Sequence, residues 1–199
     1  MPEQKNYDLG EVMQQAAADR IWAVRGRSIQ SYASLEQSLC ALFAYCGDID
    51  PKVAGIIFFR ISSTQVRNDI LEKLIRRKFG SVYNLFWNSY LKELRPIDIK
   101  RNEVVHWNMI TLIGDDGVSL QLRPPNFAGW DENTPQLLDS DLVAFMEKCG
   151  VFGRLANMFH LATSIMTGAE AQPWLDVFKE PLVYPLPDGH PLNPRPTTP

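Results

Sequence analysis

Apolar residues recur at helical spacing along most of the chain, and this periodicity constrains the fold more than any other feature. The clearest stripe follows Ser140, a residue type suited to a helix N-cap, and continues to Met166. We therefore predict a long helix over 140–166 whose inner face consists of Phe145, Cys149, Phe152, Leu155, Phe159 and Ala162.

Two earlier stretches show the same spacing near the N-terminus. The first predicted helix covers 9–24, with an inner face of Val12, Met13, Ala16, Ala17, Ile21 and Trp22. The second covers 31–46, where Gly47 and Asp48 are expected to end it.

Two more helices are predicted in the middle of the chain. One begins after Pro51 and continues toward Lys78, with inner residues Ile57, Ile61, Val66, Ile70 and Leu74. Gly80 should end that helix, and the next one covers 81–94. Pro96 is expected to kink or restart the chain there, because proline cannot donate a backbone hydrogen bond.

The period changes from helical to alternating in "MITLIGDDGVSLQL", residues 109–122. Its central "DDG" predicts a β-hairpin turn. From Pro173 onward the chain holds eight of its 14 prolines, which predicts an extended tail. The expected fold is therefore mainly all-α: an N-terminal helix over 1–26, an antiparallel helical bundle over 27–170 with the hairpin inserted at 109–122, and a proline-rich tail over 171–199.

Composition excludes several classes of protein. No apolar run approaches the roughly 20 residues that cross a bilayer, and the start lacks a signal-peptide pattern, so we expect no membrane partner and a cytoplasmic location. The cysteines show no paired spacing, which is typical of reduced core residues. We expect no cofactor, because the chain has no phosphate-binding glycine loop, and no metal site, because the three histidines stand far apart: His106, His160 and His190.

Charge is unevenly distributed along the sequence. The net charge is −3, yet residues 60–103 carry ten basic and five acidic side chains, which leaves −8 for the rest. A local positive field attracts phosphate even on an acidic protein. The candidate RNA-binding residues are Arg60, Arg67, Lys73, Arg76, Arg77 and Lys100. A solvated basic helix face is the alternative interpretation.

The segment "KRNEVVHW", residues 100–107, carries the candidate chemistry. On a helix Asn102 and His106 share one face, and the long side chain of Arg101 can reach it. Imidazole exchanges protons near neutral pH, so it can take one from a ribose 2′-hydroxyl or give one to a leaving oxygen. Guanidinium can bind a phosphate while negative charge builds on it. The trio therefore indicates RNA cleavage without a metal.

These residues resemble the motif of the HEPN superfamily, small helical bundles in which four to six residues separate an arginine from a histidine and a polar residue commonly follows the arginine. The resemblance covers roughly residues 31–165. It implies a metal-independent endoribonuclease, often a toxin or defence effector, that forms a homodimer so that two motifs face one cleft. The implied catalytic residues are Arg101, Asn102 and His106.

Other interpretations stay open at this point. His106 could be a hydrogen-bonded core or interface residue, and Arg101 could form a surface ion pair. A second arginine-to-histidine spacing, Arg154 to His160, lacks the polar neighbour and is expected to be structural. The alternative function is a non-catalytic helical module that binds RNA or another protein, such as a nucleotidyltransferase-type antitoxin.

Overall fold

The computed structural model describes residues 9–114, 117–126, 129, 131 and 133–193. It confirms the mainly helical class with a small hairpin. The elements, in chain order, are α1 (Leu9–Gly47), α2 (Pro51–Arg60), α3 (Thr64–Phe79), α4 (Asn84–His106), β1 (Asn108–Gly114), β2 (Gly117–Arg123), α5 (Asp139–Ser164) and α6 (Gly168–Val177).

The chain divides into two compact units. Unit 1 comprises Met1–Tyr32 and Ile99–Glu147, and unit 2 comprises Ala33–Asp98 and Lys148–Pro199. The division falls within α1, α4 and α5, so each of these helices contributes one part of its length to each unit.

The core of unit 1 joins α1, the end of α4, the hairpin and the start of α5. Its strands pair antiparallel, with Met109 opposite Leu122. Leu122 and Leu137 exchange two backbone hydrogen bonds of 2.9 Å and are both buried. The Ser28 hydroxyl donates to the Leu142 carbonyl at 3.1 Å. Because buried polar groups need partners, this bond fixes where α5 begins against α1.

The core of unit 2 is rich in aromatic side chains. Every residue of the predicted inner face of α5 is buried, as expected from its spacing, and all of them except Phe145 belong to unit 2. Tyr90 donates from its hydroxyl to the Phe152 carbonyl at 2.9 Å. Burying each large apolar side chain stabilises the fold by about 1.5–3 kcal/mol. The largest fully buried aromatic side chains are Trp87, Tyr90, Phe58, Phe86, Phe152, Phe159 and Phe178.

All three cysteines are buried and free in unit 2. Burial raises the pKa of the Cys46 and Cys149 thiols to about 12. A thiol that stays protonated is a poor nucleophile and a poor metal ligand, so these side chains serve as apolar packing.

The N-terminal half of the helical prediction needs one correction. Helix α1 is continuous over 39 residues where the periodicity predicts two separate helices. Gly26 lies inside it and costs only about 1 kcal/mol in a helix, which contacts made by flanking residues offset. Of the predicted inner face Ile21 is buried, while Ala16, Ala17 and Trp22 are exposed. The side chains of Val12 and Met13, and residues 1–8 of the predicted N-terminal helix, lie outside the described residues.

The predicted helix from Pro51 toward Lys78 is in fact two helices. Ser63 caps α3 by accepting a hydrogen bond from the Val66 backbone N–H at 3.3 Å, and the chain is extended just before it. The break rotates the inner face, so Ile57 and Val66 are exposed whereas Phe58 and Leu71 are buried.

Two prolines fall inside helices. Helix α4 continues through Pro96, where a kink or restart was expected. Helix α6 occupies the start of the predicted extended tail and includes Pro173. Packing explains the second difference, because Ala171 and Phe178 are buried. Residues 194–199 of the tail, and residues 115 and 116 of the hairpin turn, lie outside the described part. No helix that the structure describes is both long and apolar enough to cross a membrane.

Candidate functional site

The candidate motif occupies the last two turns of α4 in unit 1. Asn102 and His106 are exposed one turn apart, and Val104 is buried on the other side of the helix. Helical spacing of four residues places the two exposed side chains about 5–6 Å apart at their Cβ atoms. The motif therefore presents its polar side chains to solvent while its apolar neighbour holds the helix in the core.

Arg101 is held by two contacts. Its Nη1 donates to Asn102 Oδ1 at 3.0 Å, and its guanidinium carbon lies 5.5 Å from the ring centroid of buried Tyr32. A cation over an aromatic face gains electrostatic stabilisation from the ring. Asn102 thus orients Arg101.

His106 is the last residue of α4. Within the described part of the chain its imidazole has no hydrogen-bond partner, and Asn102 is engaged with Arg101 instead. A general acid or base needs access to its proton donor or acceptor. An exposed imidazole at a helix end meets that requirement.

Arg25 fixes the backbone around His106. Its Nε donates to the Val104 carbonyl at 2.7 Å, and its Nη2 donates to the carbonyls of Val105 and Trp107 at 2.8 and 3.0 Å. Burial lowers the pKa of Arg25, but a guanidinium remains charged in proteins. The last carbonyls of a helix lack partners within the helix, so Arg25 serves as a cap from a different element.

Trp22 lies one turn before Arg25 on α1. The Arg25 guanidinium carbon is 5.2 Å from the indole centroid, and 49% of Trp22 remains exposed. An exposed aromatic ring beside the motif can stack on a nucleic-acid base. Neither residue was predicted to belong to the site, because the apolar spacing placed Trp22 on an inner face and Arg25 lies in no recognised motif. The spacing "WAVR", which puts an aromatic and an arginine on one face of a helix, is the signal that could have found them.

The candidate RNA-binding residue of unit 1 is Lys100. Its Nζ lies 2.6 Å from Glu103 Oε2, one turn along α4. An ion pair that is partly exposed to solvent in this way contributes little to stability.

The other five candidates belong to unit 2, where they differ in exposure. Arg60, Lys73 and Arg77 are exposed, and Arg76 forms a pair with Glu72 at 2.8 Å. Arg67 is 8% exposed, and its Nη2 lies 2.6 Å from Glu36 Oε1. Its guanidinium also covers the ring of Phe58 at 4.9 Å. These contacts give Arg67 a structural role in the interior of unit 2.

The second arginine-to-histidine spacing lies on α5 in unit 2. The His160 ring stacks on Tyr45 with centroids 4.5 Å apart, and the Tyr45 hydroxyl donates to the Thr163 carbonyl at 2.7 Å. Burial lowers the pKa of His160, which keeps its imidazole neutral. Arg154 is exposed and makes no hydrogen bond or ion pair to His160 among the described residues. This arrangement is typical of a packing histidine.

No group of three or more histidine, cysteine, aspartate or glutamate residues in the described ranges could hold a metal ion. Comparisons with known proteins gave no relatives: no protein-family model, curated protein or solved structure matches this chain. Function must therefore be argued from the residues themselves.

Proposed function

We propose that the protein is a metal-independent endoribonuclease of the HEPN type, with Arg101, Asn102 and His106 as its catalytic residues. One observation carries the proposal: an exposed histidine ends α4, five residues after an arginine whose guanidinium is held by Asn102 and Tyr32. An arginine and a solvent-accessible imidazole near the end of one helix are the groups that would stabilise the phosphorane and transfer protons in phosphodiester cleavage.

In the proposed reaction the 2′-oxygen attacks the adjacent phosphorus and the 5′-oxygen leaves. The products are a 2′,3′-cyclic phosphate and a free 5′-hydroxyl, so one proton leaves the 2′-hydroxyl and one reaches the departing oxygen. His106 acts as the acid or the base, and Arg101 stabilises the negative charge on the phosphorane. One chain supplies one such imidazole. We therefore propose a homodimer in which the motif of a second copy supplies the other proton transfer.

Binding of RNA would use two kinds of contact, charge attraction and base stacking. Lys100 lies one residue before the catalytic arginine, and Trp22 offers an exposed ring near the end of α4. The exposed cations of unit 2 could bind the phosphate backbone independently of sequence: Arg60, Lys73, Arg76 and Arg77. We leave Arg67 out of this set because it is buried against Glu36.

The proposal is tested with RNA whose 2′-oxygens are blocked. Wild-type protein in EDTA should cut unmodified RNA and leave 2′,3′-cyclic phosphate ends, and it should leave the fully 2′-O-methylated RNA of the same sequence intact. Cleavage of the methylated strand, or products with a 3′-hydroxyl, would exclude attack by the 2′-oxygen.

A second candidate function has its own supporting observation. Helix α2 exposes large apolar side chains on its outer side: Val53, Ile56, Ile57 and Phe59. Exposed apolar patches are typical of protein interaction sites. In this account the protein is a non-catalytic helical module that pairs with another protein, such as an antitoxin, or with a second copy. Light scattering measures the molar mass of wild type and Ile56→Asp in solution, and a dimer that only wild type forms would show self-association through this patch. RNA binding without cleavage would also favour this candidate.

A further inference from the structure

Gly26 occupies a position in α1 for which packing gives no reason to have a glycine. It lies in the interior of a continuous helix, where glycine is one of the least favourable residues. It is exposed, and a Cβ atom added to it would meet no atom of the described surroundings within 4 Å. A larger side chain would therefore fit there and would favour the helix. The reason for the glycine must be sought in its neighbours on the helix surface.

Trp22 precedes Gly26 by one helical turn on the same face of α1. Side chains on a helix point back toward its N-terminus, so a long side chain at position 26 would lie over the turn that carries Trp22. Glycine has no side chain to do this, and 49% of Trp22 is exposed. Gly26 thus leaves the indole ring open to solvent on this side.

Arg25 connects the open ring to the proposed nuclease site. Its guanidinium carbon lies 5.2 Å from the indole centroid of Trp22. Its Nη2 donates to the carbonyls of Val105 and Trp107 at 2.8 and 3.0 Å. One guanidinium therefore contacts both the ring and the backbone on each side of His106. A ligand stacked on Trp22 would lie beside the backbone that carries the proposed catalytic imidazole.

A flat, uncovered ring beside a cation suits a nucleobase and its phosphate. Bases stack on aromatic side chains whatever their sequence, but a base in a duplex is already stacked on its neighbours. We propose that Trp22, kept uncovered by Gly26, is a subsite for one unpaired nucleobase, so that the RNA substrate is single-stranded near the cut. This inference rests on the proposed function. Both residues lie outside the part of the chain that resembles HEPN domains, so that resemblance does not imply the subsite.

Substitutions of Gly26 separate this subsite from a structural role. Gly26→Leu and Gly26→Ala should both raise the midpoint of thermal unfolding, because both residues favour a helix. Only the leucine is long enough to cover the ring of Trp22. It should weaken binding of a short single-stranded RNA by about five- to 150-fold, the effect of losing one stacked base, while Gly26→Ala binds like the parent protein. Fluorescence anisotropy in a His106→Ala background measures the affinity without cleavage.

A strand with abasic nucleotides supplies the matched control for the RNA. It keeps the phosphates and removes the bases, so Gly26→Leu should not weaken its binding. The same RNA sequence held in a duplex should also bind equally to Gly26→Leu and Gly26→Ala, since its bases are not free to stack on the protein. If circular dichroism shows that Gly26→Leu is unfolded, Trp22→Ala replaces it in the same comparison.

The outcomes distinguish the subsite from the nuclease. The subsite is overturned if Gly26→Leu and Gly26→Ala bind the single strand equally, or if Gly26→Leu weakens binding of the abasic strand by the same factor. Cleavage by wild type together with either result would leave the nuclease in place without the subsite. Base-dependent binding together with an inactive wild type would support the subsite and contradict the nuclease. Failure of the His106→Ala protein to bind the single strand overturns the subsite as well.

Discussion

Arg25 of α1 donates to the carbonyl of Val104 at 2.7 Å, across 79 residues of sequence. Together with the bonds to Val105 and Trp107, this contact ties the backbone around His106 to a second helix. A catalytic side chain is effective only where the backbone holds it in a productive geometry, so we regard Arg25 as a positioning residue of the proposed site.

The first prediction concerns this anchor. Arg25→Ala leaves three partly buried carbonyls without their donor and should lower the free energy of unfolding by about 1–3 kcal/mol. Arg27→Ala removes an exposed arginine two residues away and should change the free energy of unfolding by less than about 0.5 kcal/mol. Urea denaturation of both variants gives the comparison. Equal stability of the two would mean that the carbonyl contacts contribute nothing.

Trp22 provides a prediction about RNA binding. A base stacked on its ring contributes about 1–3 kcal/mol, so Trp22→Ala should weaken binding of a single-stranded oligonucleotide by roughly five- to 150-fold. The affinity is measured by fluorescence anisotropy in a His106→Ala background to prevent cleavage. Phe59→Ala is the matched control, because Phe59 is a comparably exposed aromatic of unit 2, at 52% against 49%. An unchanged affinity of Trp22→Ala for the oligonucleotide would show that stacking on Trp22 does not contribute to RNA binding.

The pair of Arg67 and Glu36 should matter for stability and not for RNA binding. Arg67→Met leaves the partly buried Glu36 carboxylate without its cation and should lower the free energy of unfolding by about 3 kcal/mol. The double variant Arg67→Met with Glu36→Leu should recover part of this loss. If Arg67→Met instead weakens RNA binding with unchanged stability, the arginine belongs to the nucleic-acid surface.

Stability should depend on pH through two histidines. Burial lowers the pKa of His160 and His190 in the folded state, whereas an imidazole in an unfolded chain titrates near pH 6.5. As the pH falls through about 6.5, the unfolded chain takes up protons that the folded chain does not, so the free energy of unfolding decreases.

His160→Phe keeps a ring that can stack on Tyr45 and should make the decrease between pH 7.5 and 5.5 shallower. Urea denaturation at pH 7.5, 6.5 and 5.5 measures the slope. The same slope in wild type and variant would contradict the assigned burial of His160.

The features that the sequence predicts well are local ones. The inner face of α5 and the hairpin each follow from a period within one segment, and both are present in the structure. The break between α2 and α3 also has a local signal, the Ser63 cap. The apolar residues on both sides of Ser63 keep a helical spacing, so one continuous helix was predicted. The continuity of α1 through Gly26 depends instead on tertiary contacts, which outweigh the weak helix propensity of one glycine.

The candidate site also combines residues that can be predicted locally with residues that cannot. Arg101, Asn102 and His106 could be predicted because they have a fixed spacing on one helix. Arg25 could not be found from spacing, because its partners lie about 80 residues away on another helix. The burial of Arg67 could not be predicted for a related reason, because a sequence does not distinguish an arginine paired in the interior, as Arg67 is with Glu36, from a solvated one.

The central claim is that His106 carries out proton transfer during RNA cleavage. Its most direct test is the single-turnover cleavage rate of one RNA in EDTA by wild type, His106→Ala and His160→Ala, with folding checked by circular dichroism. Loss of general acid or base catalysis should slow His106→Ala by at least about 100-fold, while folded His160→Ala cuts at nearly the wild-type rate. Cleavage by folded His106→Ala at the wild-type rate would contradict the account.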